Sequence, residues 1–253
     1  MTDYKSLLVT HDGPVLHVQL NRPDSGNAVS GEVLTDLLDV LHTLQDDTVT
    51  RVMVLSGAGP HFSQGGDRAE FPALLAEDPT GASLRALADK AERVCAALAS
   101  LKIVTIARLH GDVIGAGLGL AVYCDLRIGA NDCRFRMPEV GLGLPPAWGG
   151  VLDRLLAEAG QAWVRRLLLT SEIFDANKAQ QLSIIHDIVA PADLDDAVHR
   201  LAKQAARRNP TAIDTTKRML IARTAPHPAG VLDAQLLTSA AMQAAARRAA
   251  IAR

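Results

Sequence analysis

The chain has 253 residues with a formal net charge of −2, and 48% of its residues are hydrophobic against 21% that are charged. This is the composition of a soluble globular protein, and its near-neutral charge excludes a broad attraction to nucleic acid or to an anionic membrane. No segment approaches the ~20 apolar residues of a membrane-spanning helix and the three cysteines form no CxxC pair, so we expect a cytoplasmic protein that binds neither nucleic acid nor membrane.

Strand-like and helix-like segments alternate in the first half of the chain. Three short runs are rich in apolar and β-branched residues, as expected of strands: residues 15–20, 51–55 and 103–107. Two longer segments, residues 31–44 and 83–101, repeat apolar residues at spacings of three and four, and Ser30 is placed to cap the first of them. This alternation favours parallel βαβ units and therefore an α/β fold.

Helical patterns dominate after about residue 150. The predicted helices are residues 150–158, 161–170, 176–182, 192–208, 210–222 and 229–250. One strand-like run, residues 184–189, interrupts them. We therefore predict two regions, an α/β core over residues 1–195 and a helical C-terminal region over residues 196–253.

Two glycine-rich loops follow predicted strands. Residues 57–67 follow the second strand, and residues 110–120 lead from the third strand into an apolar helix. Glycines at the start of that helix would let a ligand approach its unpaired backbone N–H groups, which favour negative charge. On its own, however, a glycine-rich turn is more often a means of tight packing than a ligand site.

A single carboxylate, Glu139, lies in an apolar turn bounded by proline and glycine, residues 135–150. Desolvation in such a turn would raise the pKa of Glu139 and suit it to proton transfer near neutral pH. An isolated glutamate after proline is otherwise usually a solvated turn residue. The chain has no GxxxxGK[ST] loop, GxSxG elbow, HExxH helix or dinucleotide fingerprint, so we expect neither a metal nor a bound nucleotide cofactor.

Taken in order, four segments resemble the motifs of the crotonase superfamily, which contains the enoyl-CoA hydratases and isomerases. The family motifs are NRPxxxNAxS, FxxGxDxxE, GxxxGxGxxLxxxCD and a Pro-Glu pair followed by glycine and proline. The matching residues are 21–30, 61–70, 111–125, and Pro138 and Glu139 with Gly143 and Pro146. Each motif is loose alone, and the resemblance rests on all of them occurring in register along most of the chain.

The resemblance implies a crotonase-like ββα-repeat spiral core with a helical C-terminal trimerisation region, assembled as a homotrimer or hexamer. It also implies an acyl thioester as the substrate, carried either by coenzyme A or by the phosphopantetheine arm of an acyl-carrier protein. Coenzyme A or phosphopantetheine would then be part of the substrate, and no separate cofactor is expected.

The site residues are likewise implied by the resemblance. The backbone amides of Gly66 and Ala116 would form an oxyanion hole for the thioester oxygen, and Glu139 would be the catalytic acid and base. The residues expected to contact substrate are Gly65, Asp67, Arg68, Gly117, Leu144, Pro146 and Trp148. Among these, Arg68 would meet a CoA phosphate, and Trp148 would line the acyl pocket unless it is simply a core residue.

The sequence departs from the family at Gly119, where many hydratases carry the first of two catalytic glutamates. Glu139 would then act alone, and hydration or dehydration of an enoyl thioester is our first interpretation. A Δ3-Δ2 enoyl-CoA isomerase, for which one carboxylate is sufficient, and a thioester decarboxylase are the enzymatic alternatives. The non-enzymatic alternative is a thioester-binding helper subunit, although a pure binder has no need of a desolvated acid.

Overall fold

A computed structural model describes residues 4–222 and 233–251, which form two β-sheets surrounded by helices. The strands are β1 (Leu7–Asp12), β2 (Val15–Leu20), β3 (Val52–Gly57), β4 (Val104–Leu109), β5 (Asp112–Ile114), β6 (Leu126–Ala130), β7 (Arg134–Arg136), β8 (Phe174–Asp175) and β9 (Asp187–Val189). The helices are α1 (Gly31–Asp46), α2 (Glu70–Glu77), α3 (Ala82–Ser100), α4 (Ala116–Tyr123), α5 (Val151–Ala159), α6 (Gln161–Thr170), α7 (Ala176–Gln181), α8 (Leu194–Ala206), α9 (Pro210–Ile221) and α10 (Asp233–Ile251).

The larger sheet has six strands in the order β1-β2-β3-β4-β6-β9. Strand β1 runs antiparallel to β2, and the other neighbours are parallel. Every residue of β3 is buried, as is typical of a parallel strand that is covered on both faces. A smaller sheet, β5-β7-β8, stands beside it. The predicted α/β architecture is therefore confirmed.

Helix α1 begins where the sequence predicts. Ser30 Oγ accepts a hydrogen bond from Val33 N–H at 3.3 Å and satisfies one of the donors that the first turn leaves unpaired. Leu34, Leu37 and Leu41 are fully buried along one face of the helix. Helices α1 and α3 pack together, so the two amphipathic segments predicted in the first half of the chain form one layer.

The C-terminal helices pack against this core. Helices α5 to α9 lie within two residues of their predicted bounds, and residues 229–232 of the last predicted helix lie outside the described residues. The predicted boundary after residue 195 falls inside α8, which packs against β4 and β6, while α10 packs against α3. Across residues 4–222 and 233–251, no helix has both the length and the apolar character needed to cross a membrane.

A buried ion pair fastens α9 to the sheet. Lys217 Nζ donates hydrogen bonds to Asp125 Oδ2 and to Ile103 O, each at 2.7 Å. The same carboxylate oxygen accepts hydrogen bonds from the backbone N–H of Thr105 at 2.7 Å and from its hydroxyl at 2.9 Å. Asp125 therefore links the start of β4 to a helix near the end of the chain.

Candidate active site

The loop after β3, residues 58–69, is held against the segment before α1. Val29 N–H donates to Gly65 O at 2.8 Å, and Asp67 N–H donates to Val29 O at 3.1 Å. In such a parallel bridge the residue between these two contacts, Gly66, turns its own N–H to the opposite side. No described residue accepts a hydrogen bond from Gly66 N–H, and a Cβ added to Gly66 would have no atom within 4 Å. Gly66 thus presents an unused donor beside open space.

The same loop lies against the turn from β5 into α4. Ile114 N–H donates to Ser63 O at 3.0 Å. A Cβ on Gly65 would stand 3.1 Å from Ile114 O and 3.9 Å from Ala116 N. The backbone of Gly65 therefore passes close to the amide of Ala116, and Gly66 is the next residue along the loop.

Gly115 makes the turn that starts α4. Its φ of +50° lies in a region that glycine adopts readily and other residues avoid, and its N–H donates to Arg136 O at 2.9 Å. Ala116 is the first residue of α4, so its N–H is one of the donors that a helix start leaves without an intrahelical partner. A Cβ on Gly117 would stand 2.6 Å from Ser63 Cβ. Gly117 is thus required for packing, and its contact with substrate stays a prediction.

Glu139 follows β7 and reaches the same turn. Its Oε1 is 3.0 Å from the position that a Cβ on Gly115 would take. Its Oε2 is buried and has no hydrogen-bond partner among the described residues. Burial raises the pKa of the Glu139 carboxyl from 4.5 to about 7, which confirms the expected effect of desolvation. The acid is therefore partly ionised at neutral pH, beside the residue that precedes Ala116.

An apolar cluster lies next to the turn that follows Glu139. Leu144 and Trp148 pack there together with Phe71 of α2, each of them partly buried. The buried members of the cluster come from α3, from the turn itself and from α10: Ala88, Ala147, Ala234 and Leu237. Pro146 lies in the same turn and is half-buried. Trp148 thus keeps part of its surface exposed, but it also packs against the main hydrophobic core, and its place in an acyl pocket stays a prediction.

The indole of Trp148 occupies the space beside Gly119. A Cβ on Gly119 would stand 2.8 Å from Trp148 Cζ3 and 2.9 Å from Trp148 Cε3. Carbon atoms in contact normally lie about 3.5 to 4 Å apart. The position at which many hydratase motifs have a glutamate therefore has no room for one while Trp148 stays in place.

Asp67 and Arg68, both predicted to contact substrate, lie at the end of the loop. Asp67 Oδ2 pairs with Arg22 at 3.3 Å, and Asp67 Oδ1 accepts a hydrogen bond from Ala69 N–H at 3.2 Å. These contacts show that Asp67 helps to hold the loop in place. Arg68 is exposed. A substrate contact by either residue stays a prediction.

Three residues that the sequence reasoning left unassigned also hold this loop. Arg22 pairs with its end, as described above. Asn27, whose φ is +52°, donates from Nδ2 to Ala58 O at 2.7 Å. Glu70 accepts a hydrogen bond from Gly31 N–H at 2.9 Å. All three lie within the first two sequence motifs, and this is the signal from which their role could have been inferred.

The loop residue Gly65, the Ala116 amide and the Glu139 carboxyl thus lie near one another at the start of α4, and an oxyanion hole formed by the Gly66 and Ala116 amides stays a prediction. Preorganised N–H groups of this kind stabilise a developing oxyanion, and an acid with a pKa near 7 is suited to proton transfer at neutral pH. Within residues 4–222 and 233–251, no cluster of three or more His, Cys, Asp or Glu side chains is arranged to hold a metal ion.

Several known proteins are similar to this chain over most of its length. A family model described as enoyl-CoA hydratase/isomerase matches residues 10–251. A 2,3-dehydroadipyl-CoA hydratase of Escherichia coli is 32% identical over 215 residues, which cover 85% of this chain and 81% of that protein. A peroxisomal Δ(3,5)-Δ(2,4)-dienoyl-CoA isomerase of Arabidopsis thaliana is 29% identical over 232 residues, which cover 87% of this chain and 83% of that protein.

Solved structures give the same result. The structure of Pseudomonas aeruginosa AtuE is 32% identical, with a TM-score of 0.83 over 91% of this chain and 89% of that one. The chain therefore belongs to the enoyl-CoA hydratase/isomerase family, as its sequence motifs predicted, and it has the crotonase-like fold of that family.

Proposed function

We propose that the protein hydrates enoyl-CoA thioesters, and in reverse dehydrates 3-hydroxyacyl-CoA thioesters, with Glu139 as its single acid and base. The observation that carries this proposal is the Glu139 carboxyl, whose pKa burial raises to about 7, at the turn that presents the Ala116 amide. The E. coli relative is named a hydratase, and membership of the family supports an acyl-CoA thioester as the substrate.

In the hydration direction, the thioester oxygen accepts hydrogen bonds from Gly66 N–H and Ala116 N–H. Ionised Glu139 takes a proton from water as the water oxygen bonds to C3 of the acyl group. The π electron pair of the C2=C3 bond moves towards the thioester, and the two amides stabilise the negative charge on its oxygen. Glu139 then gives its proton to C2, so that one water is added and the enzyme returns to its starting state.

Two physical features suit the site to this reaction. In comparable oxyanion holes, removal of one donor weakens transition-state stabilisation by about 3 kcal/mol, so two preorganised amides make a large contribution. A carboxyl with a pKa of about 7 is abundant in both protonation states at neutral pH. One residue can therefore first accept and then donate the proton, as a site with a single acid requires.

Isomerisation of a Δ3-enoyl thioester is the second candidate function. Here the ionised carboxylate removes a proton from C2, the two amides stabilise the resulting dienolate, and the protonated carboxyl returns the proton at C4, so Glu139 alone is sufficient. The A. thaliana relative is named a dienoyl-CoA isomerase. A thioester-binding helper subunit has less support, since binding alone needs no buried acid whose pKa is about 7. A decarboxylase has less support because the relatives described above are named a hydratase and an isomerase.

The proposal extends to assembly and location: a cytoplasmic homotrimer or hexamer that accepts coenzyme A thioesters or carrier-protein thioesters. Val140 and Leu142, directly after Glu139, are exposed apolar residues, as are Leu169 and Ile173. Apolar surface of this kind beside the site supports contact with a second copy of the chain. Sedimentation equilibrium should give the mass of a trimer or hexamer, and a monomer would contradict the proposed assembly.

Incubation with crotonyl-CoA and with 3-hexenoyl-CoA separates the two candidate functions. Hydration adds the mass of one water to crotonyl-CoA, whereas isomerisation leaves the mass of 3-hexenoyl-CoA unchanged and creates a conjugated enoyl absorbance. Glu139→Gln should abolish turnover and leave the Kd for crotonyl-CoA, measured by calorimetry, within a few fold of that of the wild type. Glu77→Gln, at an exposed position on α2, is the matched control. Unchanged turnover by Glu139→Gln would overturn the proposal.

A further inference from the structure

The turn after Trp148 consists of two consecutive glycines with left-handed backbone. Gly149 has a φ of +59° and Gly150 a φ of +70°, a region that favours glycine. Space is also restricted, because a Cβ on Gly149 would stand 2.6 Å from Cys95 Sγ and one on Gly150 would stand 2.8 Å from Tyr123 Oη. The backbone of Trp148 is therefore held at a defined place between α3 and α4.

The Trp148 indole meets α4 through Cζ3 and Cε3, which stand 2.8 and 2.9 Å from the Cβ position of Gly119. The covalent geometry of indole places Nε1 on the opposite edge, so the polar atom is directed away from α4. A side chain at position 119 and the indole at position 148 would compete for one space. A second carboxylate at 119 therefore requires displacement of Trp148.

The exposed part of Trp148 continues an apolar wall. Leu144 and Phe71 pack beside it, against buried side chains of α3 and α10. An acyl chain that leads away from Glu139 along this wall would bury carbon against carbon, which the hydrophobic effect favours. A charged group on the same path would lose its hydration without gaining a hydrogen-bond partner from the wall.

Carboxylates border this wall where α10 begins. Asp233 directly precedes Ala234, a buried member of the apolar cluster. Burial, together with the nearby carboxylates of Asp153 and Glu92, raises the pKa of Asp233 to about 6, so Asp233 is mostly ionised at neutral pH. A negative charge on an acyl group that reached this end of the wall would meet like charges.

We propose that Trp148 is a specificity-determining residue that, together with Gly119, restricts the site to thioesters of uncharged, apolar acyl groups. This specificity rests on the proposed function, since it concerns the acyl part of the same substrate. It also accounts for the single acid, because the indole fills the space in which a second carboxylate would lie. The chain would thus differ in substrate from its E. coli relative, whose name specifies a dehydroadipyl thioester.

Two six-carbon thioesters form a matched pair for the test. trans-2-Hexenoyl-CoA and 2,3-dehydroadipyl-CoA differ by the terminal carboxylate, and we expect kcat/KM to be at least about tenfold higher for hexenoyl-CoA, since an unpaired group in an apolar site lowers binding by this amount or more. Trp148→Ala should narrow this preference, whereas Trp163→Ala, the control for loss of a tryptophan on α6, should leave it unchanged. Equal rates for the two thioesters, or a preference for dehydroadipyl-CoA, would overturn the inference.

Binding measurements distinguish failure of this inference from failure of the proposed function. If the wild type turned over neither thioester, the proposed function would fail, whereas calorimetry with Glu139→Gln would still report the specificity. At least about tenfold tighter binding of hexenoyl-CoA supports the inference, and equal binding contradicts it.

Thermal unfolding tests whether a side chain at position 119 and the indole of Trp148 compete for the same space, and this measurement does not depend on turnover. Gly119→Ala should lower the unfolding temperature, because its Cβ would stand 2.8 Å from Trp148 Cζ3. In the presence of Trp148→Ala, the same substitution at 119 should lower the unfolding temperature by less, since the competing ring is gone. Strict additivity of the two substitutions would show that the residues do not share the space, and would overturn the inference.

Discussion

Both carboxylate oxygens of Glu70 accept a hydrogen bond from Gly31 N–H, at 2.9 and 3.1 Å, and so join the first residue of α2 to the first residue of α1. This contact closes the loop that carries Gly66. A carboxylate at a helix start also complements the partial positive charge of the helix dipole. The conformation of the loop, and with it the position of the proposed donor Gly66, thus depends on the side chain of Glu70.

Glu70→Ala should lower the free energy of unfolding by about 1 kcal/mol, as does loss of a helix cap. It should also lower kcat more than it raises KM, because the loop loses an anchor that positions a proposed transition-state donor. Denaturant unfolding and steady-state hydration of crotonyl-CoA check these effects, with Glu77→Ala on the same helix as the control. Full kcat in Glu70→Ala would argue against the positioning role.

Substitutions at two adjacent glycines should have different effects, one on stability and the other on activity. Gly65 has a φ of +102°, and its Cβ would stand 3.1 Å from Ile114 O, so Gly65→Ala should be destabilised by about 1 to 2 kcal/mol. A Cβ on Gly66 meets no atom within 4 Å. Gly66→Ala should therefore unfold like the wild type and yet lose most of its activity, because the methyl group would enter the space assigned to the thioester. Thermal unfolding and hydration rates separate the two effects, and a fully active Gly66→Ala would contradict this placement.

The raised pKa of Glu139 makes its ionisation oppose folding. The carboxyl titrates near 4.5 in the unfolded chain and at about 7 in the folded protein. Between these values the unfolded state releases its proton first, so stability falls as the pH rises from about 4.5 to about 7, by about 3 kcal/mol at most. Glu139→Gln should be more stable than the wild type at about pH 8, whereas the two proteins should have nearly the same free energy of unfolding at about pH 4. Denaturant unfolding at both pH values tests this, and an equal difference at the two would count against the raised pKa.

The same pKa should govern the rate of hydration. Because Glu139 must be ionised to take a proton from water, kcat/KM for crotonyl-CoA should rise with pH, pass an inflection near 7 and then level off. An inflection near the ordinary value of 4.5 would indicate that Glu139 is solvated when the enzyme works.

Lys217→Met should destabilise the protein by about 3 kcal/mol, since it leaves the partly buried Asp125 carboxylate without its buried cationic partner. The amide protons of α9 should then exchange faster with solvent, because the contacts to Asp125 and Ile103 fasten this helix to the sheet. Lys203→Met, at an exposed position on α8, is the matched control. Equal stability of the two variants would show that the ion pair contributes nothing net.

The long elements could be predicted because each repeats one period over several turns or alternations. Helix α1 and strand β2 are of this kind, and β2 has the predicted bounds. The smaller sheet could not be predicted, since β5 and β7 have three residues each and β8 has two, too few for alternation to be visible. Helix α2 has only eight residues, fewer than the window over which a helical period can be recognised.

The candidate site was predictable to the extent that its residues lie within motifs. The burial of Glu139 and the rise in its pKa follow from the apolar turn around it. The contact between Gly119 and Trp148 could not be predicted, because the two residues lie in different elements and only the folded chain brings them together.

The bridge between Val29 and Gly66 has a consequence for redesign of the chain. The residues that connect β2 to α1 form backbone hydrogen bonds with the loop of residues 58–69 and so help to fix the conformation of that loop. A circular permutation, a split-protein junction or a grafted insertion between β2 and α1 would therefore disturb chemistry carried by residues much further along the chain. Segment exchange with a relative should transfer residues 21–70 as one cassette.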